Sequence, residues 1–476
     1  MKRLLQKYRS LNVRARSALW FTICNFLQKG ISFITTPIFL RILTTEQYGT
    51  YSLYLSWLQV FTVLSTLYLY HGVTDNAMAK FEDDRSRFIS SMQGLTITLT
   101  SGVALLFFLL SGRLQKWIGL APILMLLMFT EIYAIPAFFF WSARQRFEYR
   151  YRSLVAVTLL KSLLNPCLGL LAVHYAGPTA LSRVAAAVSV ECAVCGVLMV
   201  IQFVQGKTFF DKNYWKYALT LAIPMVPHYL AGIILNHGDR IMISKLVGKP
   251  EVALYGVAYS IGMLVLLFVN AINSAMTPWV YSKLKISDIK AIRSRSREVI
   301  AIVFCLAVGL MLISPEVVRI FGSAKYAQSV YVIPPVAGSV FFVYLYGFLS
   351  FPEFYYEKTS FLMIASLFAA GLNVVLNYIF IPRYGFVAAA YTTLTCYVIY
   401  SLGHYIVGRS ILTREAGERS MVDETMTLVL GVVLIVISCT IHMLFPSIFI
   451  RYALVAAGML IAFVKRKDIY KIINAK

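Results

Sequence analysis

Charge is scarce in this chain. Only 14% of its 476 residues are Asp, Glu, Lys or Arg, where a soluble globular protein carries about a quarter. Acids are the rarer sign, 21 against 44 Lys and Arg. A chain this long and this apolar (59% hydrophobic) lacks the polar surface that an ordinary water-soluble enzyme or binding module needs. Cysteine supplies seven residues, all inside apolar segments, which argues against a disulfide framework. Cys192 and Cys195, in "ECAVC", stand one helical turn apart with no further Cys or His close by, so they read as packing residues rather than metal ligands. No G-x-x-x-x-G-K-[ST] loop occurs, so ATP hydrolysis by this chain is not expected. The basic start "MKRLLQKYRSLNVRAR" precedes a run too long for a signal-peptide h-region, without a small-residue cleavage site. It reads as a basic tail leading into a retained helix.

What the chain has in abundance is apolar runs near the roughly 20 residues that cross a bilayer. Fourteen can be drawn, at about 17–42, 48–70, 89–112, 119–140, 153–174, 178–204, 217–237, 252–277, 298–314, 329–351, 360–381, 385–408, 426–445 and 447–464. The ninth is short, because Pro315 ends it. The expected fold is an all-α polytopic membrane protein of about 14 transmembrane helices. With the N-terminus inside, most of the 44 Lys and Arg fall in cytoplasmic segments, as the positive-inside rule requires. Both termini are then cytoplasmic. The segment "RQRFEYRYR" reads as one such basic loop rather than a nucleic-acid contact, and no nucleic-acid partner is expected.

A weak repeat divides the chain. The first run exits through "FLRILTTEQYGTYSL" and the seventh through "ISKLVGKPEVALYGVAYSI", each reaching a Tyr-Gly pair, Tyr48-Gly49 and Tyr255-Gly256. A six-helix unit preserves orientation, so the halves would be related by an axis along the membrane normal. The expectation is two parallel six-helix bundles around a central cleft plus two C-terminal helices: residues 1–210, 211–410 and 411–476.

Polar residues are placed with a period. Thr22, Asn25, Lys29, Ser32 and Thr36 share one face of the first run, since spacings of three and four align on a helix. Gln59 continues a similar stripe on the second run, and Asn270 and Asn273 lie on the eighth. Lys29, Glu131, Lys161 and Glu191 fall near the middle of runs one, four, five and six, with no comparably deep charge in runs seven to fourteen. Such charges at bilayer depth are rarely kept without a partner or a task. Two readings stay open: neutral ion pairs inside the N-terminal bundle, or lysines that meet an anionic ligand while a glutamate takes a coupling H+ or Na+. Arg183 lies near the end of the sixth run, where snorkelling is the default. Arg41, Asp239 and Arg240 are expected at the outer rim or gate. Pro37, Pro136, Pro166, Pro224 and Pro227 offer kinks or hinges.

With its fourteen runs, "TPIFLRILTTEQYGTYSL" and "LNHGDRIMISKLVGKPEVALYGVAYS", the chain resembles bacterial polysaccharide-biosynthesis flippases. These are the O-antigen and capsular-oligosaccharide translocases of the multidrug/oligosaccharidyl-lipid/polysaccharide exporter superfamily. The resemblance implies a lipid substrate, an oligosaccharide on undecaprenyl diphosphate, moved by alternating access from the cytoplasmic to the periplasmic leaflet of the bacterial inner membrane. It implies Lys29 as first contact for the diphosphate and Lys161 as second, with membrane lipid, a polysaccharide polymerase and chain-length machinery as partners. Asp239-Arg240 match the family's Asp-Arg pair and read as structural or gating. The rivals are a cation-coupled drug antiporter of the same superfamily and, in another class, a membrane polysaccharide polymerase or glycosyltransferase.

Overall fold

The computed structural model describes residues 12–358 and 360–464; the two basic tails of the sequence, 1–11 and 465–476, lie outside them. Among the described residues every regular element is helical, and each of the fourteen apolar runs falls on helix. Nine helices among the described residues are long and apolar enough to cross a bilayer, or ten if one bent pair counts as a single span. That pair is Ile289–Leu312 and Ser314–Phe321, bent by 60° where Pro315 begins the second piece. The ninth run therefore does stop at its proline.

The chain forms two compact units, residues 1–233 and 234–476. In the first, the long helices are α1 (Val13–Ile42), α2 (Thr45–Thr66), α3 (Arg85–Leu109), α4 (Pro122–Phe147), α5 (Tyr151–Tyr175) and α6 (Ala180–Gly206), followed by α7 (Lys212–Ala222). Short polar residues start them. Asn12, Thr44, Thr179 and Asp211 each accept a first-turn N–H, which satisfies donors that a helix start leaves orphaned. α4 and α6 make the tightest seam, with Ala134, Ala137, Cys195 and Leu198 buried in it, so Cys195 is a packing residue. α3 approaches the chain after α6 at glycine: a Cβ on Gly94 would lie 1.9 Å from the carbonyl oxygen of Phe209. α5 packs on α6, and α1 packs on α5. Pro37, Pro136 and Pro166 sit inside unbroken helices. Pro224 instead opens a 3-10 turn, Ile223–Met225, before helix Val226–Ile233.

The second unit begins with a π-helical turn, Ile234–Gly238. Its helices are α8 (Asp239–Leu246), α9 (Lys249–Gly262), α10 (Leu264–Lys285), α11 (Ile289–Leu312), α12 (Ile333–Leu349), α13 (Ser360–Tyr384), α14 (Val387–Ala416), α15 (Glu424–Thr440) and α16 (Ile448–Val464). α12 is the central helix, buried along most of its length between α14, α11 and α15. α16 is tied on by Arg451, buried, whose guanidinium holds both oxygens of Glu316 at 2.7 Å and the carbonyl of Leu312 at 2.8 Å.

Candidate functional site

α1 is one of the long helices whose composition is not that of a membrane span. Neither it nor α2 is among the helices apolar enough to cross on composition alone, because both carry the polar stripes. Its buried residues are Ser17, Cys24, Phe39 and Leu40, of which Ser17 and Cys24 sit off the stripe and Phe39 and Leu40 close its C-terminal end. Asn25, Lys29 and Ser32 are exposed and Thr36 is half-buried. The Thr22 and Thr36 hydroxyls donate back to Ala18 and Ser32 carbonyls at 2.9 and 2.7 Å, so they require no partner from outside. Lys29 makes no ion pair with any described residue.

The register of α1 against α5 places a second lysine at a similar level along the helices. Trp20 stacks on Tyr151 with centroids 6.4 Å apart, Cys24 lies beside Thr158, and Phe39 meets Gly169, where a Cβ would come within 3.0 Å of its ring. The contacts advance together, so the two helices run parallel. Lys29 and Lys161 are both bracketed between the second and third of them. They differ in environment. Lys161 is mostly covered, its ammonium 2.7 Å from a Glu191 oxygen and 4.5 Å from the Phe138 ring centroid.

Around Lys161 the unit holds a nearly closed charge cluster. Glu131 and Glu191 are each 8% exposed and Arg183 is 7% exposed. Glu131 accepts the Tyr54 hydroxyl at 2.6 Å and lies within electrostatic range of Glu191, Lys161 and Arg183. Cys195 donates to Glu191 at 3.3 Å. Two acids and two bases balance. Buried charges are favoured when paired and hydrogen-bonded. Here Lys161 and Glu191 pair directly, while Arg183 forms no ion pair and its Nε and Nη1 have no hydrogen-bond partner among the described residues.

Arg183 departs from the expectation that it snorkels. It lies flat inside the unit, donating to Asn165 Oδ1 at 2.7 Å, with its guanidinium carbon 4.5 Å from the Phe39 ring and 5.1 Å from Tyr51. Gly169 makes room for it, since a Cβ there would fall 3.1 Å from Nη1. The signal in the sequence was Asn165 and Gly169 one turn apart on α5, a polar notch with no side chain beside it. Gln59 is half-buried and accepts the Tyr68 hydroxyl at 3.2 Å. Arg41 is exposed at the end of α1.

In the second unit Asp239 and Arg240 were expected at a rim; both are buried, Asp239 completely. The π-helical turn swings Asp239 inward, where its carboxylate accepts Tyr255 of α9, Asn377 of α13 at 2.7 Å and Thr393 of α14 at 2.8 Å. Arg240 donates to the Asn236 carbonyl at 2.9 Å and packs 4.6 Å over the Tyr259 ring. Asn270 on α10 is exposed and Asn273 half-buried. Buried charge is found in the second unit as well: besides Asp239 and Arg451, Glu353 and His404 are both fully buried and joined at 2.7 Å. Sequence reading missed this pair because Glu353 lies just past one apolar run and His404 near the end of another.

The all-helical fold of the described residues is shared with solved membrane proteins. Over 95% of this chain and 100% of the other, the structure is similar to the lipid II flippase MurJ in an inward closed conformation, with TM-score 0.71 at 15% identity. It is also similar, over 82% and 96%, to an inward-facing multidrug resistance MATE family transporter of the MOP superfamily, with TM-score 0.62 at 15% identity.

The sequence itself is more specific. The profile of the polysaccharide biosynthesis protein family matches residues 15–284, more than half of the chain, and the chain belongs to that family. The MatE profile matches residues 224–379. An uncharacterized membrane protein of Haemophilus influenzae is 23% identical over 275 residues, 55% of this chain and 64% of that protein. Fold and family together define a multi-pass membrane protein of the multidrug/oligosaccharidyl-lipid/polysaccharide exporter superfamily.

Proposed function

We propose that the protein is a flippase for a lipid-linked oligosaccharide, carrying undecaprenyl-diphosphate-linked repeat units from the cytoplasmic to the periplasmic leaflet of a bacterial inner membrane. One observation carries the reading: an exposed lysine at the middle of a polar helix face, without an ion pair among the described residues, in a unit whose interior charges, Glu131, Glu191, Lys161 and Arg183, sum to zero. An ammonium suits a phosphate as a compact point charge. Lys29 is the first contact for the diphosphate in this reading. Lys161 is the second, and it engages only by sharing its charge with Glu191. Asn25, Ser32, Thr36 and Gln59 offer hydrogen bonds for sugar hydroxyls, and Asn270 and Asn273 offer the same chemistry in the second unit.

The sugar and diphosphate cannot enter hydrocarbon unaided, whereas the lipid tail can stay in it. A few lysines hold such a headgroup loosely enough to release it. Alternating access of a six-helix N-terminal lobe (1–210) and C-terminal lobe (211–410), with 411–476 appended and both termini cytoplasmic, completes the proposed arrangement. Glu131 and Glu191 are the candidates for a coupling H+ or Na+, Arg41 and Arg183 for the gate, and Asp239 with Arg240 for the anchor of the second unit. A polysaccharide polymerase and chain-length machinery are the expected partners downstream.

The drug antiporter is the rival that the MATE likeness keeps in view. A cationic drug calls for an unbalanced acid, and here the unbalanced group is a base. The deciding experiment deletes the gene in its host and assigns lipid-linked oligosaccharides to leaflets. Completed units trapped on the cytoplasmic leaflet, and released when the gene is restored, are the expected result. Incomplete units, or complete units that reach the periplasm unpolymerised, would overturn it in favour of a glycosyltransferase or a polymerase.

A further inference from the structure

The basic segment "RQRFEYRYR" does more than mark one side of the membrane. It folds around a cavity of about 210 Å3 within the N-terminal unit, where α4 ends and α5 and the last turns of α6 meet, lined by Trp141, Arg144, Gln145, Arg150, Ser153 and Gln205 among others. We propose that this cavity is a binding site for a phosphate-bearing group, separate from the α1 face.

The turn that builds it is specific. Tyr149 adopts a left-handed backbone (φ 54°), a conformation that disfavours a non-glycine residue by roughly 1–2 kcal/mol. It lets the Arg150 N–H return to the Gln145 carbonyl at 2.8 Å, closing the end of α4 and bringing Arg150 back over the cavity. Contacts from α1 hold the turn: Ser17 donates to the Tyr149 carbonyl at 3.3 Å, and Arg14 lies 5.7 Å over the Tyr149 ring.

The charge in the cavity is unbalanced. Glu148 is the one acid of the segment and serves two arginines. Arg144 Nε donates to its Oε1 at 2.7 Å, with Arg144 Nη1 on Gln205 Oε1 at 2.9 Å. Arg150 Nε lies 3.0 Å from Oε2 without hydrogen-bond geometry, so its donors remain open. An excess positive charge stays with the cavity.

A second, independent observation points to a ligand. Gln145 is 6% exposed and lines the cavity, yet its amide has no hydrogen-bond partner among the described residues. The amide opens onto the cavity, where its N–H groups can donate to a bound oxygen. α5 also begins here without a side-chain cap, so its first N–H groups and its dipole favour an anion.

Size limits the occupant. The volume falls below the roughly 300–1,000 Å3 of a pocket for a drug-sized ligand, so it admits one headgroup and not an oligosaccharide. The shared chemistry is a phosphate oxyanion, carried either by an anionic phospholipid or by a free phosphate.

The test uses the full-length protein in neutral detergent and needs no transport assay. Native mass spectrometry reads retention of phosphatidylglycerol against phosphatidylcholine, and calorimetry reads inorganic phosphate. The wild type is expected to prefer phosphatidylglycerol, with Arg150→Gln and Gln145→Leu each weakening it about tenfold, one charged hydrogen bond's worth. Arg152→Gln, which removes an equal charge outside the lining, should leave it unchanged. Saturable phosphate binding with the same variant pattern, without lipid preference, assigns the site to free phosphate. Equal loss in Arg150→Gln and Arg152→Gln, or no binding of either probe by the wild type, overturns the proposal. Gln145→Leu carries the test alone should Arg150→Gln fail to fold.

Discussion

Lys29 and Lys161 stand at one level of two parallel helices, and their substitutions should part company. Lys29→Ala removes an exposed, unpaired side chain, so melting in detergent should move by no more than about 0.5 kcal/mol. Flipping, read as leaflet assignment of the lipid-linked product, should fall about ten- to a hundredfold, the worth of one charge-assisted contact to phosphate. Full transport by a well-expressed Lys29→Ala would sink its role. Lys161→Ala strands the Glu191 carboxylate inside the unit, a loss of about 3–5 kcal/mol that should lower the melting temperature sharply. Adding Glu191→Gln should recover most of that loss, and a double variant as unstable as the single would show that the ion pair is not the reason. These residues also mark how much of the site could be read from sequence. The stripe on α1 was legible, because spacings of three and four survive into any helix. Which glutamate Lys161 chooses was not, since Tyr54, from a third helix, engages Glu131. Nor was the burial of Arg183, which rests on a ring from α1, a ring from α2 and an absent side chain on α5.

At the scale of elements, close approach and capping dominate. Gly94→Val should push α3 off the backbone at Phe209, where even one carbon would sit 1.9 Å from an oxygen. We expect lower yield and loss of the melting transition rather than a selective transport defect, and normal yield and melting would contradict the packing. The start of α15 offers a pH-dependent case outside the apolar spans. Asp423 accepts the Met426 N–H at 3.0 Å and meets Arg297 of α11 at 2.6 Å. Those backbone bonds first, and Arg297 with them, hold its carboxyl below the ordinary aspartate range. A carboxyl depressed in the folded state contributes fully above its unfolded value, about 3.9, and its contribution is lost as pH falls through the lower folded value. Melting followed from pH 6 to pH 3 should therefore drop more steeply in the wild type than in Asp423→Asn, and equal slopes would remove this residue from the acid response. Elements were the most legible level of the sequence. Helix starts at Asn12, Thr44, Thr179 and Asp211 and the break at Pro315 all follow from local chemistry. The π-helical turn at Ile234–Gly238 does not, because its reason is the burial of Asp239 among α9, α13 and α14.

For the molecule as a whole, apolar runs alone dictated a helical membrane fold, and the family and the solved relatives agree with it. The distribution of buried charge was harder to see. Glu353 and His404 lie 51 residues apart, and the packing of the short helix Phe351–Tyr355 against α14 brings them together. Such pairs escape any reading by local pattern.

The polar face of α1 has a consequence for how the protein is made. A lysine at the centre of a membrane helix opposes its insertion by about 2.5–3.5 kcal/mol, and α1 is not among the helices apolar enough to cross on composition alone. Its packing partner α5 is synthesised far later, on the order of ten seconds at bacterial elongation rates. During that interval α1 must be sheltered by the translocation machinery or by α2. Lys29→Leu should accordingly raise the insertion of an isolated α1 segment while abolishing transport by the whole chain, so that one side chain sets biogenesis against function.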